Sequence, residues 1–365
     1  MRIIAIANQK GGCGKTTTAI NLAACLAERK KAVLLIDMDP QGHATLGLNI
    51  VPHDVAKSMY DVLTPNREHR SRLDEIIIPV SDHLDLAPAN ILLSAIEQEL
   101  SGKPEREAKL AQAISLMVSS KTYDFIIIDC SPSLGILTFN ALRAAQEVIA
   151  PVETSAFSLH GINKLLETLE VLGKHLHKTI PVTALLTMFN CRTRFALEIK
   201  DAVGQSFNSS VFKTVIRNNV RLREAARQGK PVIQYDSASN GAADYTALSR
   251  EVITKEADRA PTRELVERAL QGQAGPQQAN GTVVFTYYNP DAKAVELAGD
   301  FNDWVASQEA KLETKKKGLW AKTFSLKPGK YQYKFVVDGQ WVTDPANPQT
   351  AMDSTGNVNS LLEIP

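Results

Sequence analysis

KGGCGKTTT, residues 10–18, lies between an apolar run at residues 3–7 and a helical pattern at residues 19–29. A strand, a glycine-rich turn and a helix in that order are typical of a loop that wraps around phosphate groups. Because the loop leads from the end of a buried strand into a helix, we expect an open α/β sheet with its ligand at that edge. The sequence predicts a nucleoside triphosphate site here.

The chemistry of the loop accounts for its residue types. Its glycines let successive N–H groups and the helix N-terminus point at one anion. Lys15 is predicted to neutralise the outer phosphates, and the Thr16 hydroxyl is predicted to bind Mg²⁺. The predicted nucleotide-binding residues of the loop are Gly11, Gly12, Cys13, Gly14, Lys15, Thr16 and Thr17.

Two residues that precede the Gly14-Lys15 pair make the loop deviant. Gln9 stands where the strict consensus has a glycine, and Lys10 adds a second lysine. The run NQKGGCGKTT resembles the ParA/MinD family. That resemblance implies an ATPase with ATP and Mg²⁺ as cofactors, which forms a homodimer when ATP is bound. It also implies that Lys10 reaches the phosphates held by the partner subunit, so that Lys10 and Lys15 both act in catalysis.

Two acidic segments follow predicted strands. DMDPQGHAT, residues 37–45, resembles the first switch of that family, which implies that Asp39 orients the attacking water and that Asp37 lies near the metal. In YDFIIIDCSP, residues 123–132, four apolar residues precede Asp129, which predicts a buried strand carrying one carboxylate to the Mg²⁺. The predicted metal residues are thus Thr16, Asp37 and Asp129. A solvated acidic turn at residues 37–45 is the alternative.

Two later runs, residues 149–153 and 182–187, are predicted to be further strands of the sheet. After the second run the family places a residue that contacts adenine, and the resemblance assigns this role to Asn190. The sequence has no N-K-x-D guanine motif, which favours ATP over GTP.

A local excess of positive charge predicts a DNA surface. The whole chain has a net charge of +1, yet residues 174–230 contain eleven basic and three acidic residues. Such an excess can bind the phosphate backbone without reading bases. VRLREAARQGKPV, residues 220–232, resembles a family segment that binds DNA nonspecifically; the candidate residues are Arg192, Arg194, Arg221 and Arg223. The alternative is a solvated basic surface.

Length and composition predict two domains in a reducing compartment. A chain of 365 residues exceeds what one core usually fills. The four cysteines have no C-x-x-C spacing, which argues against a disulfide framework or a zinc site. The apolar runs are too short to span a bilayer, so no membrane partner is expected. The expected location is the cytoplasm, in association with the nucleoid.

The composition changes near residue 275. All three tryptophans follow that point, and residues 271–281, QGQAGPQQANG, are predicted to be a flexible linker. The predicted domains are residues 1–270 and 282–365. We therefore expect a P-loop NTPase α/β domain, with a mostly parallel sheet and helices on both faces, followed by an all-β immunoglobulin-like sandwich.

The tail carries motifs of its own. LAGDFNDW (residues 297–304), PGKYQYKFVVDGQWVTDP (328–345) and GNVNS (356–360) resemble the glycogen-binding module of AMP-activated kinase β subunits and isoamylase-type enzymes. The resemblance implies α-glucan binding by Trp304, Lys334, Trp341 and Asn359. It departs at Thr355, where the kinase relatives carry a leucine that contacts the sugar. A sandwich that keeps the fold without the ligand is the alternative.

The Asp338-Gly339 pair predicts a two-residue hairpin turn. Its register pairs Val336 with Trp341, and Phe335 with Val342. Strand alternation then sorts the side chains onto two faces. One face is a predicted core, with Tyr331, Tyr333, Phe335 and Val342; the other is a predicted sugar platform, with Lys334, Val336 and Trp341.

Together these features predict an ATP-dependent dimerising ATPase that binds DNA nonspecifically and positions a cargo, with the C-terminal module attached to a glucan such as glycogen. An ATPase-stimulating partner protein is implied by the resemblance. Two alternatives remain open: a chromosome or plasmid partition ATPase with an accessory tail, and an ATP-driven regulator of polysaccharide metabolism that does not bind DNA.

Overall fold

The computed structural model describes residues 1–66, 68, 70–118, 121–133, 135–154, 167, 180–191, 193–207, 210–270, 275–279, 282–306, 312–316, 318–326, 328–353 and 356–364. The chain forms two compact units, Met1–Val252 and Ile253–Pro365. Each unit is described by itself below. No helix among the described residues is long and apolar enough to cross a membrane.

Strands and helices are interspersed along the first unit. In chain order they are β1 (Arg2–Ile6), α1 (Lys15–Ala27), β2 (Val33–Met38), α2 (His43–Leu46), α3 (Met59–Leu63), β3 (Ile78–Ser81), β4 (Leu84–Ala87), α4 (Ile96–Glu99), α5 (Lys109–Met117), β5 (Phe125–Cys130), α6 (Ile136–Ala144), β6 (Glu147–Glu153), β7 (Val182–Thr187), α7 (Arg194–Ser206), α8 (Val220–Arg227), α9 (Val232–Tyr235) and α10 (Asn240–Leu270). Short 3-10 turns lie at Pro52–Asp54, Leu73–Glu75, Ile91–Ala95 and Arg106–Ala108.

The strands of this unit form one sheet in the order β3-β4-β2-β5-β1-β6-β7. All neighbouring pairs are parallel except β3 with β4. Every residue of β1, β2 and β5 is buried, as expected for parallel strands covered on both faces. The predicted α/β fold is confirmed, and its parallel order brings the carboxyl ends of these three strands to one edge.

The strands of the second unit are antiparallel and follow the end of α10, which continues past Val252. They are β8 (Gln277–Ala279), β9 (Thr282–Tyr288), β10 (Val295–Gly299), β11 (Glu313–Lys316), β12 (Leu319–Ser325), β13 (Gly329–Val337), β14 (Gln340–Val342), β15 (Thr350–Met352) and β16 (Val358–Ile364). One sheet has the order β10-β13-β16-β15 with β14 beside β13, and the other has the order β11-β12-β9-β8. A 3-10 turn lies at Asp300–Asn302.

Aromatic and aliphatic side chains of both sheets form the core of the second unit. Phe285 of β9 lies 4.9 Å, ring centroid to ring centroid, from Tyr333 of β13. Tyr333 and Phe335 are fully buried, and Tyr331 and Val342 pack against the same cluster. The hairpin pairs Phe335 with Val342 and Val336 with Trp341. The predicted register and core face are therefore confirmed, and the two packed sheets form the predicted sandwich.

The structure corrects part of the predicted linker. Gln277–Ala279 is not a free linker segment, because it forms β8 and pairs with β9 in antiparallel register. The amide of Gln278 also donates to the carbonyl oxygen of Glu363, 3.1 Å away. A short polar edge strand buries little side chain and is held by its backbone, so composition alone did not reveal it.

Candidate functional site

The glycine loop has the backbone conformation that the sequence predicts for a phosphate cradle. Gly12 and Gly14 have φ values of 75° and 91°, in the left-handed region that favours glycine. Gly14 is the N-cap of α1, and no side chain caps the helix there. The first N–H groups of α1 therefore remain available to an anion, and the helix dipole favours negative charge at the same place.

Both lysines of the loop are held by contacts within this subunit. Lys15 is buried, and its ammonium donates to the carbonyl oxygen of Lys10 at 2.9 Å. The ammonium of Lys10 lies 2.5 Å from a carboxylate oxygen of Glu153, which ends β6. About a quarter of each of these two side chains is exposed, at 25% and 29%. Lys10 is thus at the surface of the subunit, where a phosphate could replace the Glu153 carboxylate.

Two polar contacts that sequence reasoning missed hold the loop in place. Thr187, the last residue of β7, donates its hydroxyl to the carbonyl oxygen of Cys13 at 2.8 Å. The hydroxyl of Thr18 lies 3.2 Å from that of Tyr245 in α10. The Cys13 thiol is fully buried, so this residue can offer a ligand only its backbone. Thr187 was detectable in principle, because it stands at the carboxyl end of a predicted strand.

The two predicted metal carboxylates lie next to the carboxyl ends of adjacent parallel strands. Asp37 of β2 is the register partner of Asp129 of β5, and Asp129 is also paired with Ile6 of β1, just before the loop. Both carboxylates are fully buried, and Asp39 is 8% exposed. The structure therefore brings the predicted acidic residues to the same edge of the sheet as the glycine loop.

Asp129 has the character of a cation ligand. Both of its oxygens are buried, and neither has a hydrogen-bond partner among the residues that the structure describes. Burial, reinforced by the charge of Asp37, raises the pKa of Asp129, although the Thr16 hydroxyl and the Lys15 ammonium favour the charged form. A buried carboxylate with unsatisfied oxygens, beside a hydroxyl and a phosphate cradle, fits the oxygen ligands that Mg²⁺ prefers.

Asp37 is already engaged by its own loop. One of its oxygens accepts from the N–H of Thr45 at 2.9 Å and from the Thr45 hydroxyl at 2.8 Å, and the other accepts from the N–H of Asp39 at 3.1 Å. Burial raises the pKa of Asp37 to about 6, and these donors oppose the shift. Asp37 thus organises residues 37–45, while Asp129 is the better candidate for direct metal contact.

A cleft of about 290 Å³ opens beside the glycine loop. Its walls combine apolar side chains with amides and a few hydroxyls, which suits a base and a ribose. The lining residues are Gly14, Thr17, Thr187, Met188, Ile216, Arg217, Asn218, Asn219, Leu222, Arg223, Ala226 and Tyr245.

Asn190, the residue predicted to contact adenine, is not among the lining residues of this cleft. Its side chain is exposed, and its carbonyl oxygen caps the turn before α7 by accepting from Thr193. The chain turns outward after β7, so Thr187 and Met188 face the cleft and Asn190 lies beyond it. Contact of Asn190 with adenine therefore stays a prediction, while Met188 and Asn218 line the cleft and are further candidates for contact with the base.

The predicted DNA residues differ in their surroundings. The Arg194 side chain is 93% exposed and pairs with Glu198 one turn later. Arg221 pairs with Glu224 at 2.7 Å and with Asp236 at 3.3 Å. Arg223 lines the cleft beside the glycine loop, and Arg192 lies outside the described residues. The three described members of the set, Arg194, Arg221 and Arg223, therefore differ in their charge partners.

The second unit presents an aromatic surface at the predicted sugar positions. The rings of Trp304 and Trp341 lie 6.2 Å apart, centroid to centroid, and are inclined by 31°. Trp341 is 49% exposed, and the Trp304 indole N–H donates to Asp300 at 3.0 Å. Trp304 has a φ of 59°, a strained value for a bulky residue, and such strain often marks binding sites.

Lys334 and Asn359 lie on the same face of the sheet as Trp341, as the register of β13 with β14 and β16 requires. Asn359 is only 2% exposed, and its amide donates to the side-chain oxygen of Gln332 at 2.8 Å. Asn359 therefore positions the Gln332 amide and has almost no exposed surface of its own for a sugar. Thr355 lies outside the described residues.

Comparisons with known proteins agree with this geometry. A family model described as an AAA domain matches residues 1–182. The chain is 45% identical over 252 residues to the sporulation initiation inhibitor protein Soj of Bacillus subtilis, covering 69% of this chain and 98% of Soj. It is 40% identical over 264 residues to the chromosome partitioning protein ParA of Myxococcus xanthus, covering 72% and 91%. The chain belongs to the ParA/Soj family.

The two parts of the chain resemble different proteins. A crystal structure of cobyrinic acid a,c-diamide synthase from Mycobacterium smegmatis, with a bound ATP analog and magnesium, matches with a TM-score of 0.59 and 30% identity, covering 69% of this chain and 94% of that one. Residues 282–365 match a model described as the glycogen recognition site of AMP-activated protein kinase. The chain thus joins a ParA/Soj-family domain to a glycogen-recognition domain.

The buried charge of Asp129 leads to a prediction about stability. In the nucleotide-free protein near neutral pH, Asp129→Asn is expected to raise the free energy of unfolding by about 1–3 kcal/mol, because it removes an unsatisfied buried carboxylate. The folded-state pKa of Asp129 is raised, so the folded form binds its proton at higher pH than the unfolded form. The advantage of the variant should therefore shrink as pH falls through that raised pKa.

Urea unfolding at several pH values, without nucleotide or Mg²⁺, measures this difference. Asp82→Asn is the matched control, since Asp82 is exposed and the same charge is removed there. A nucleotide-free Asp129→Asn variant that is less stable than the wild type near neutral pH would contradict the prediction.

Proposed function

We propose that this chain is an ATP-driven, dimerising ATPase that binds DNA nonspecifically and positions a cargo, with its C-terminal domain attached to an α-glucan. The observation that carries the proposal is the arrangement of Lys10, Lys15 and Asp129 around an uncapped helix N-terminus at one edge of the sheet. Identity to Soj and ParA over nearly their whole length supports the partition-type role.

ATP and Mg²⁺ are the proposed cofactors. Thr16 and Asp129 would hold the cation, and Asp37 would keep residues 37–45 in place beside it. Bound Mg²⁺ would neutralise charge on the phosphate oxygens during transfer of the terminal phosphoryl group to water. Asp39, which is 8% exposed, would orient that water, and Lys15 would neutralise the outer phosphates.

Lys10 would link nucleotide binding to dimerisation. Its ammonium is now paired with Glu153 of the same subunit. Phosphates of a second subunit carry more negative charge than one carboxylate, so they would replace Glu153 as the partner of Lys10. ATP would then stabilise the dimer, and slow hydrolysis, stimulated by a partner protein, would release it.

Comparing the two lysines tests this proposal. Lys10→Ala is expected to keep ATP binding but to remain monomeric with ATP and Mg²⁺. Lys15→Ala is expected to lose most ATP binding as well, because it removes a buried charge-assisted contact worth about 2 kcal/mol or more. Light scattering after size exclusion reports the dimer, and equilibrium dialysis reports the nucleotide.

Lys103→Ala, at an exposed position, is the matched control for loss of one lysine. A wild-type protein that stays monomeric and does not hydrolyse ATP, even with its cellular partners present, would disprove the proposal. Equal dimerisation of wild type and Lys10→Ala would instead contradict the role of Lys10 in dimerisation and leave the rest of the proposal in place.

A second candidate is an ATP-driven regulator of polysaccharide metabolism that does not bind DNA. The ion pairs of Arg221 with Glu224 and Asp236 favour it, because they neutralise a predicted DNA contact. Cosedimentation with DNA and with glycogen, each with and without ATP, separates the two candidates. ATP hydrolysis with glycogen binding but no DNA binding would favour the regulator.

A further inference from the structure

Three arginines near the cleft beside the glycine loop differ in their charge partners. Arg217 forms an ion pair with Asp244, with a shortest nitrogen–oxygen distance of 2.6 Å. Arg221 is shared between Glu224 and Asp236. Both guanidinium groups are therefore compensated by carboxylates, and each would have to give up ion pairs before it could bind another anion.

Arg223 has a different environment. It follows Arg221 by two residues in α8, which turns it about 200° around the helix axis. There it lines the cleft together with Gly14 and Thr17 of the phosphate loop. Among the described residues no carboxylate forms an ion pair with it. An uncompensated guanidinium at a cleft with an anion-binding end attracts negative charge from the ligand.

The rest of the cleft indicates how a nucleotide would lie in it. Gly14 and Thr17 mark the phosphate end, at the N-terminus of α1. Met188, Ile216 and Leu222 provide an apolar wall for a base. Because Leu222 immediately precedes Arg223, the helix that covers the base also supplies a cation to the ligand.

We propose that Arg223 binds a phosphate oxygen of the nucleotide held by its own subunit, and that it does not belong to the DNA surface. The inference rests on the proposed nucleotide site and names a further binding residue for it. Helix α8 would then contact two ligands. Arg221 faces away from the cleft and stays a candidate for DNA, and Arg223 faces the nucleotide. A five-donor guanidinium would contribute to affinity for both ADP and ATP.

The test is a titration of the full chain with a fluorescent ADP analogue and Mg²⁺. Arg223→Ala is expected to raise the Kd about tenfold, through loss of one partly exposed charge-assisted contact. Arg223→Lys should recover part of that loss. Arg227→Ala, an exposed arginine of the same helix that does not line the cleft, is the matched control and should leave Kd unchanged.

DNA cosedimentation at saturating ATP completes the design. Arg223→Ala should pellet with DNA as the wild type does. Substitution of a residue that contacts DNA would instead reduce the fraction of protein in the pellet. Unchanged ADP affinity in Arg223→Ala, while Lys15→Ala binds poorly, would overturn the inference and leave the nucleotide site intact. Absence of ADP and ATP binding by the wild type would overturn the proposed function and this inference together.

Discussion

Asp39→Ala is expected to lower kcat for ATP hydrolysis about 100-fold while the protein still binds ATP and dimerises. Asp39 is largely buried, with 8% of its surface exposed, and one of its oxygens accepts from the N–H of Gln41 at 3.0 Å. We expect its small exposed part to contact the attacking water. Removal of a water-orienting carboxylate should slow the chemical step and leave the binding contacts of Lys15 and Thr16 in place.

Single-turnover hydrolysis and light scattering with ATP and Mg²⁺ measure the two parts of this prediction separately. Asp54→Ala is the control, because Asp54 follows in the same region and its side chain is 68% exposed. If Asp39→Ala hydrolysed ATP at the wild-type rate, Asp39 would have no role in orienting water. If it failed to bind ATP, Asp39 would act in binding instead.

Trp341→Ala combined with Trp304→Ala is expected to lower the affinity for glycogen about 100-fold, which corresponds to a loss of about 1.4 kcal/mol for each ring, because aromatic rings often carry much of the binding energy at a binding surface. The two rings are inclined by 31°, so they form a curved platform, and Trp341 is 49% exposed. Sugar rings place apolar C–H faces on such a surface, while Lys334 on the same face offers a hydrogen-bond donor.

Glycogen pulldown of the full chain measures this loss. Tyr288→Ala removes another exposed aromatic ring, on a strand of the opposite sheet, and should leave glycogen retention unchanged. ATP hydrolysis of the tryptophan variants should also stay at the wild-type level if the first unit folds normally. Equal retention of wild type and the double variant would mean that the sandwich keeps its fold without the ligand.

Asn190 and Thr187 differ in a way that the tertiary structure decides. Both residues lie near the end of β7, and a motif can place either one beside the nucleotide. The outward turn of the chain after Met188 decides that Thr187 reaches Cys13 and lines the cleft, while Asn190 is exposed. That turn depends on the strand pairing of β7 and on the backbone pairing of Phe189 with the chain near Ile216.

The same distinction applies to Arg221 and Arg223. The sequence alone does not distinguish them, because both are arginines of the run Arg-Leu-Arg at residues 221–223, and both add to the positive charge of residues 174–230. Only the rotation of α8 on the subunit separates them, because it presents one to Glu224 and Asp236 and the other to the cleft. Net charge therefore indicates a class of ligand, and helix orientation assigns it to residues.

The sequence by itself determined the phosphate loop, the strands that end at Asp37 and Asp129, and the hairpin register around Asp338-Gly339, because glycine conformations, apolar runs and strand alternation are local properties of the chain. The tertiary structure alone decided that Asp129 has unsatisfied oxygens, that Glu153 holds Lys10, and that Asn359 is buried against Gln332. Those features depend on side chains from 27 to 143 residues apart, and only packing determines which of them meet.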